Sequence, residues 1–136
     1  MADFDAQARF ARSPVAHLAT AGPDGRPHLV PVVFAVHEQT VYTAVDAKPK
    51  TTQRLRRLTN IEGNPRVSLL VDHYDDDWSQ LWWARADGQA VVRDDDEALT
   101  EARAALGARY PQHVADPPEG PVIEVTVGRW SGWTAS

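Results

Sequence analysis

"HLATAGPDGRPHLVPVVF", residues 17–34, decides the fold of this chain. The compact apolar run from Val15 to Thr20 reads as a strand. "AGPDGRP" (21–27) then places Pro-Asp-Gly between two extended runs, the signature of a hairpin turn. His28 to Val36 continues as a valine-rich strand interrupted by Pro31. Proline has no N–H to give to a sheet ladder, so this strand belongs at an edge or carries a bulge.

Working outward, "HEQ" (37–39) makes a second turn and Thr40 to Val45 reads as a third strand. Upstream, Phe4, Ala8 and Ala11 lie near helical spacing, and Ser13-Pro14 ends that helix. Downstream, Thr51 or Thr52 caps a helix running to about Asn60, with Leu55 and Leu58 toward the core. Val67 to Val71 reads as a fully buried strand, and Leu81 to Val92 as another with "ADG" (86–88) as a bulge or bend. Asp94 to Asp96 open a helix that continues through Leu99, Ala102 and Leu106 to about Arg109, with acids at its positive end. "YPQHVADPPEGP" reads as a proline-rich connector, and Val122 to Trp130 as the last strand. Six strands joined by tight turns predict a mainly β protein, a small antiparallel barrel with flanking helices. At 136 residues the chain fits a single domain, residues 1–136.

Composition removes whole classes of function. The formal net charge of −5 argues against broad nucleic-acid or anionic-membrane binding. The absence of cysteine removes thiolate nucleophiles, iron–sulfur clusters and disulfides. No segment approaches the roughly 18 apolar residues of a membrane span, and the expected location is cytoplasmic. The five histidines (17, 28, 37, 73, 113) fall in no metal-ligand spacing, so no metal is expected. His73 beside Asp72 and Asp75 to Asp77 reads as a solvated loop rather than a cation site. No GxSxG, SxxK, GxGxxG or P-loop occurs, and no catalytic side chain is assigned.

Two features remain. "VDAKPKTTQRLRRL" (45–58) holds both lysines of the protein, Lys48 and Lys50, in a chain with twelve arginines. Residues two apart in an extended segment point the same way, so the pair can close on one anion, with Pro49 restricting the loop. The helix start that follows adds unpaired N–H groups. Arg54 and Arg57 fall where they support such a site, whereas Arg56 reads as solvated. The second feature is five tryptophans, at 78, 82, 83, 130 and 133. Adjacent Trp82 and Trp83 must face opposite sides of one strand, so one of them meets an interface or a flat ligand.

Together, "HLATAGPDGRPHLVPVVF", "VYTAVDAKPKTTQRLRRL" (41–58), "NPRVSLLVD" (64–72) and "WWARADGQAVV" (82–92) resemble the split β-barrel flavin- and deazaflavin-binding superfamily related to pyridoxamine 5′-phosphate oxidase. The similarity is strongest to its short actinobacterial members that use coenzyme F-420. The resemblance implies a six-stranded split barrel of the FMN-binding type that forms a homodimer, with cofactor sites at the interface. It implies that Lys48, Lys50, Thr51 and Gln53, supported by Arg57, hold the phosphate and acidic tail of the cofactor. Val30, Pro31 and Val32 would line the face of the ring, with Thr43 on the neighbouring strand. Trp78, Trp82 and the Arg129-Trp130 pair would come from the interface or the partner.

The chain departs from the true pyridoxamine phosphate oxidases. Their FMN-phosphate arginine and lysine on the second strand have no counterpart in "HLVPVV", and their C-terminal substrate-binding segment is missing. The implied function is an F-420-dependent oxidoreductase that reduces a conjugated, electron-poor small molecule. The alternatives are an FMN-binding oxidoreductase of the same superfamily and a non-enzymatic F-420 or flavin carrier.

Overall fold

A computed structural model describes residues 4–44, 55–115 and 120–136. Their order is α1 (Ala6–Arg12), β1 (Ala16–Ala21), β2 (Pro27–Val32), β3 (Ala35–His37), β4 (Thr40–Ala44), α2 (Arg56–Gly63), β5 (Arg66–His73), a 3₁₀ turn (Trp78–Gln80), β6 (Trp82–Arg93), α3 (Asp96–Arg109), α4 (Pro111–Ala115) and β7 (Val122–Thr134). The architecture is the expected mainly β one, with seven strands instead of six. All seven form one antiparallel sheet in the order β2-β1-β5-β6-β7-β4-β3.

The extra strand comes from dividing the run His28 to Val36 at Val33-Phe34. The two pieces sit at opposite edges of the sheet although two residues join them. The sheet must therefore curl until its edges meet, which makes it a split barrel. Side chains satisfy the backbone at this crossover in place of a ladder. Thr43 Oγ1 donates to the Val33 carbonyl at 2.8 Å. The Phe34 N–H donates to the Tyr110 hydroxyl, and the Phe34 carbonyl accepts from that hydroxyl (2.9 Å) and from Arg109 (3.2 Å). Arg109 also donates to the Ser13 carbonyl.

The β1–β2 hairpin forms as its sequence demands. Gly25 N–H donates to the Gly22 carbonyl at 2.9 Å across Pro23-Asp24, and Gly25 takes φ 78°, which favours glycine. Pro31 lies on the edge strand β2. The "HEQ" turn also forms, as two residues between His37 and Thr40.

Alternation fills the barrel. Leu18, Val32, Leu69, Val71, Ala84, Ala86, Ala90, Ile123 and Val125 are buried in one cluster with Phe10 of α1 and Leu58 and Ile61 of α2. Leu55 does not join them: it is exposed, in extended backbone, at the N-cap of α2. The helix expected to start at Thr51 or Thr52 thus starts at Arg56, and the two threonines lie outside the described residues. A third helix, α3, is capped by Asp95, whose side chain accepts from the Ala98 N–H. It packs against β3, β4 and the start of β7. The proline-rich connector holds one short helix, α4.

The irregularity expected at residues 86–88 is real, but its extra residue stands on the opposite strand. Asp87 pairs with Arg129 and Gly88 with Val127, leaving Gly128 unpaired. The bulge changes the phase of β7. Val125 and Val127 point inward before it, and Trp130 packs against the core after it, so Trp133 points outward. A Cβ on Gly88 would collide with the Thr126 carbonyl oxygen, so the strands meet here without room for a side chain.

Candidate functional site

Lys48, Lys50, Thr51 and Gln53 lie outside the described residues. What flanks them is described: β4 ends at Ala44 and α2 begins at Arg56. Among the described residues no side chain caps α2, and no acid stands in its first turn. The positive end of the helix is therefore open to an anion. Arg57, one residue inside, is half-buried, and burial pulls its guanidinium below the usual arginine range. Among the described residues no carboxylate lies within ion-pair distance of it. A desolvated cation without a counter-charge is unfavourable alone and becomes favourable when an anion arrives.

The three residues expected on one ring face divide. Val30 and Val32 point inward, with Val32 buried, while Pro31 is exposed on the outside of the sheet. Period-two alternation forbids all three from lining one surface. Thr43 is buried and its hydroxyl is committed to the Val33 carbonyl, which sets it beside the end of β2.

The tryptophans separate similarly. Trp130 packs edge-on against Phe10 at 5.3 Å, and its indole N–H donates to Gln39 Oε1 at 2.8 Å. Its role in the chain is to join α1, the second hairpin turn and β7. Trp78, on the 3₁₀ turn, is 71% exposed. Trp82 and Trp83 do face opposite sides. Trp82 packs on the core side against Phe4 and under the Arg9 guanidinium, with His73 stacked on it. Trp83 faces out, where Arg85 lies over its ring at 5.5 Å and Trp133 is its cross-strand partner.

That outer surface was not foreseen as a unit. A cavity of about 340 Å³ opens there, bounded by Leu70, Tyr74, Trp83, Arg85 and Trp133 among others. Leu29, Val33 and Val15 extend the exposed apolar area over β2 and β1. At its middle, Ser68 Oγ donates to Asp87 Oδ1 at 2.5 Å and Arg85 Nε donates to Asp87 Oδ2 at 3.0 Å. The signal was present in the alternation of 82–87, but β5, β6 and β7 had to be set in register to join it. His73, the last residue of β5, lies 3.9 Å from Asp75 of the loop that follows. Among the described residues, no helix is long and apolar enough to cross a membrane.

The family described as pyridoxamine 5′-phosphate oxidase matches residues 4–134. Among solved structures, a conserved hypothetical protein of Mycobacterium tuberculosis is 23% identical, with a TM-score of 0.76 over 99% of this chain and 87% of the other. A FAD-binding protein of Mesorhizobium loti is 18% identical, with a TM-score of 0.72 over 97% and 94%. The haem storage protein HutZ of Vibrio cholerae is 17% identical, with a TM-score of 0.69 over 90% and 87%. No curated protein matches the sequence.

Proposed function

The chain belongs to the pyridoxamine 5′-phosphate oxidase family, and from that premise we propose that it is an oxidoreductase working with the deazaflavin coenzyme F-420. The observation that carries this reading is the half-buried Arg57 at the start of α2, which has neither an ion-pair partner nor a side-chain cap among the described residues. With Lys48 and Lys50 just upstream, it forms a cationic grip suited to a long acidic tail. β2 supports deazaflavin over FMN, because Pro27–Val32 contains no lysine or arginine to hold a flavin phosphate.

In this reading Lys48, Lys50, Thr51, Gln53 and Arg57 bind the tail, while the edge-strand segment Val30-Pro31-Val32 runs along the ring. Bound in reduced form, the cofactor supplies a hydride to a conjugated, electron-poor small molecule. The chain binds, orients and shields, and no side chain is assigned as a general acid.

Two copies meet, in this proposal, through the exposed face carrying Leu29, Leu70, Trp83 and Trp133. That face is apolar at its rim and carries both charges, Arg85 and Asp87, at its middle, so it is complementary to itself under a two-fold axis. Trp78 stands exposed, available to a second copy.

A second reading keeps the site and changes the cofactor or the role. The similar structures include a FAD-binding and a haem storage protein, which favours a flavin enzyme or a carrier without turnover. Quenching of tryptophan fluorescence by F-420, FMN and FAD, titrated side by side, tests the choice. F-420 is expected to bind tightest. Tighter FMN or FAD binding overturns the cofactor, and tight F-420 binding without oxidation by any enone or quinone in a broad panel makes the protein a carrier.

A further inference from the structure

Where α1 packs on β6 and β7, a cavity of about 170 Å³ opens beside the helix. Arg9 lines it from α1, Gln80 from the 3₁₀ turn, and His73, Trp82, Thr134 and Ser136 from the sheet and the residues that follow it. His73, Trp82 and Thr134 stand in one cross-strand row, so β5, β6 and β7 supply the floor and α1 the wall. We propose that this cavity binds a small free carboxylate, gripped by the Arg9 guanidinium beside the Trp82 ring.

Three observations carry the proposal. First, Arg9 is half-buried, yet among the described residues its guanidinium has no ion pair and gives no hydrogen bond. Arg85, Arg93 and Arg109 are also half-buried, and they spend their N–H groups on Asp87, on Asp95 with Glu124, and on the Ser13 and Phe34 carbonyls. Asp5, four residues before Arg9, has the helical spacing to pair with it. Its carboxylate instead caps α1, accepting from the Ala8 N–H at 3.0 Å. Second, the cation is placed before any ligand arrives. Its central carbon lies 5.3 Å from the centre of the Phe4 ring and 5.1 Å from that of Trp82. His73 stacks on the same indole at 6.3 Å, with the planes 18° apart. The rings hold the guanidinium by its charge and leave its N–H fork free for an oxygen acceptor. Third, the rest of the lining offers donors. The Thr134 and Ser136 hydroxyls meet at 3.3 Å, Gln80 brings an amide, and no Asp or Glu side chain joins them. Asp75, which does not line the cavity, lies 3.9 Å from His73 Nε2 and leaves the Arg9 charge unopposed. A carboxylate suits this set, because its two oxygens match the fork of one guanidinium. The small volume favours a short acid over an extended polyanion.

The site stands apart from the F-420 reading, since none of its residues is assigned to the cofactor's tail. Titration of sodium acetate into the full chain at neutral pH tests it, with sodium chloride at equal ionic strength as the comparison. The indole N–H resonance of Trp82, followed by NMR, is the readout. Acetate is expected to move it saturably and chloride to leave it in place. Arg9→Met keeps an apolar stem over the rings and is expected to weaken acetate about tenfold. Thr134→Val keeps the shape of the side chain, loses its hydroxyl, and is expected to weaken acetate about threefold. Arg12→Met, exposed in the last turn of the same helix, is expected to bind as the unaltered chain does. A shift that stays linear in acetate, an equal response to chloride, or full affinity in Arg9→Met overturns the proposal. Should Arg9→Met fail to fold, Thr134→Val decides, and full affinity there overturns the proposal as well.

Discussion

The outer surface of the sheet has two halves of similar chemistry and different surroundings. Over β4 and the start of β7, Tyr42 and Val122 point outward and are buried under α3, packed with Ala102. Over β2, β1, β5, β6 and the end of β7, large apolar side chains also point outward around Ser68, Arg85 and Asp87, yet Leu29 is 66% and Trp133 is 47% exposed. The chain has one long helix to spend on the outside and places it on the first half. The lesson is that the second half leaves large apolar side chains without a cover, which is how a surface built for association reads.

The strongest way to break this comparison is to truncate matched leucines. Leu106→Ala, beneath the covered half, is expected to cost about 2–5 kcal/mol of stability by urea denaturation. Leu29→Ala, on the bare half, is expected to stay within about 0.5 kcal/mol in dilute protein. Equal losses would mean that the bare half is not bare. Next, Trp83→Ala is expected to weaken self-association about 30-fold by analytical ultracentrifugation, the scale of a central interface aromatic. A sedimentation profile independent of concentration, with or without the substitution, removes the proposed dimer.

Arg57→Met carries the comparison to the cofactor site, where a cation also awaits its complement. It is expected to raise the melting temperature of the cofactor-free protein while lowering F-420 affinity about tenfold. A lower melting temperature would show that Arg57 already has its counter-charge. The smallest effect concerns the cap of α3. A hydrogen bond from Arg93, then one from the Ala98 N–H, holds the Asp95 carboxyl below its usual range. A carboxyl depressed in the folded state contributes stability above its unfolded pKa and loses it as pH falls through the folded value. Asp95→Ala should therefore melt earlier than the unaltered chain at neutral pH, with the gap narrowing through the acid range. A gap that stays constant with pH assigns the cap no ionic part.

Local chemistry explains which parts of the fold were legible. The hairpin at 21–27 could be read because Pro-Asp-Gly and Gly25 act within four residues of each other. The division of the next strand could not, because Phe34 is held by Arg109 and Tyr110, some 75 residues away. "RWSGW" concealed its orientation for a related reason. Only pairing with β6 reveals that Gly128 is skipped, which turns Trp130 inward and Trp133 outward. At the site, the lysine pair and Arg57 stood out as charge anomalies, whereas the outer face carrying Trp83 and Trp133 required β5, β6 and β7 to be set in register. Pro31 was legible as an edge residue, whereas alternation sets its side chain opposite those of Val30 and Val32.

The place of β7 in the sheet has a consequence for how the protein comes into being. It is the last of the described strands in sequence, yet it lies between β6 and β4 and joins β2-β1-β5-β6 to β4-β3. During synthesis the β3–β4 hairpin must wait, its inner edge unpaired, until residues 122–134 emerge from the ribosome. Non-local pairing of this kind is slow, and an unpaired strand edge invites other chains. Emergence of β7 is thus the moment at which two half-sheets become one barrel, and a fragment ending before residue 122 should be digested by protease where the 136-residue chain resists.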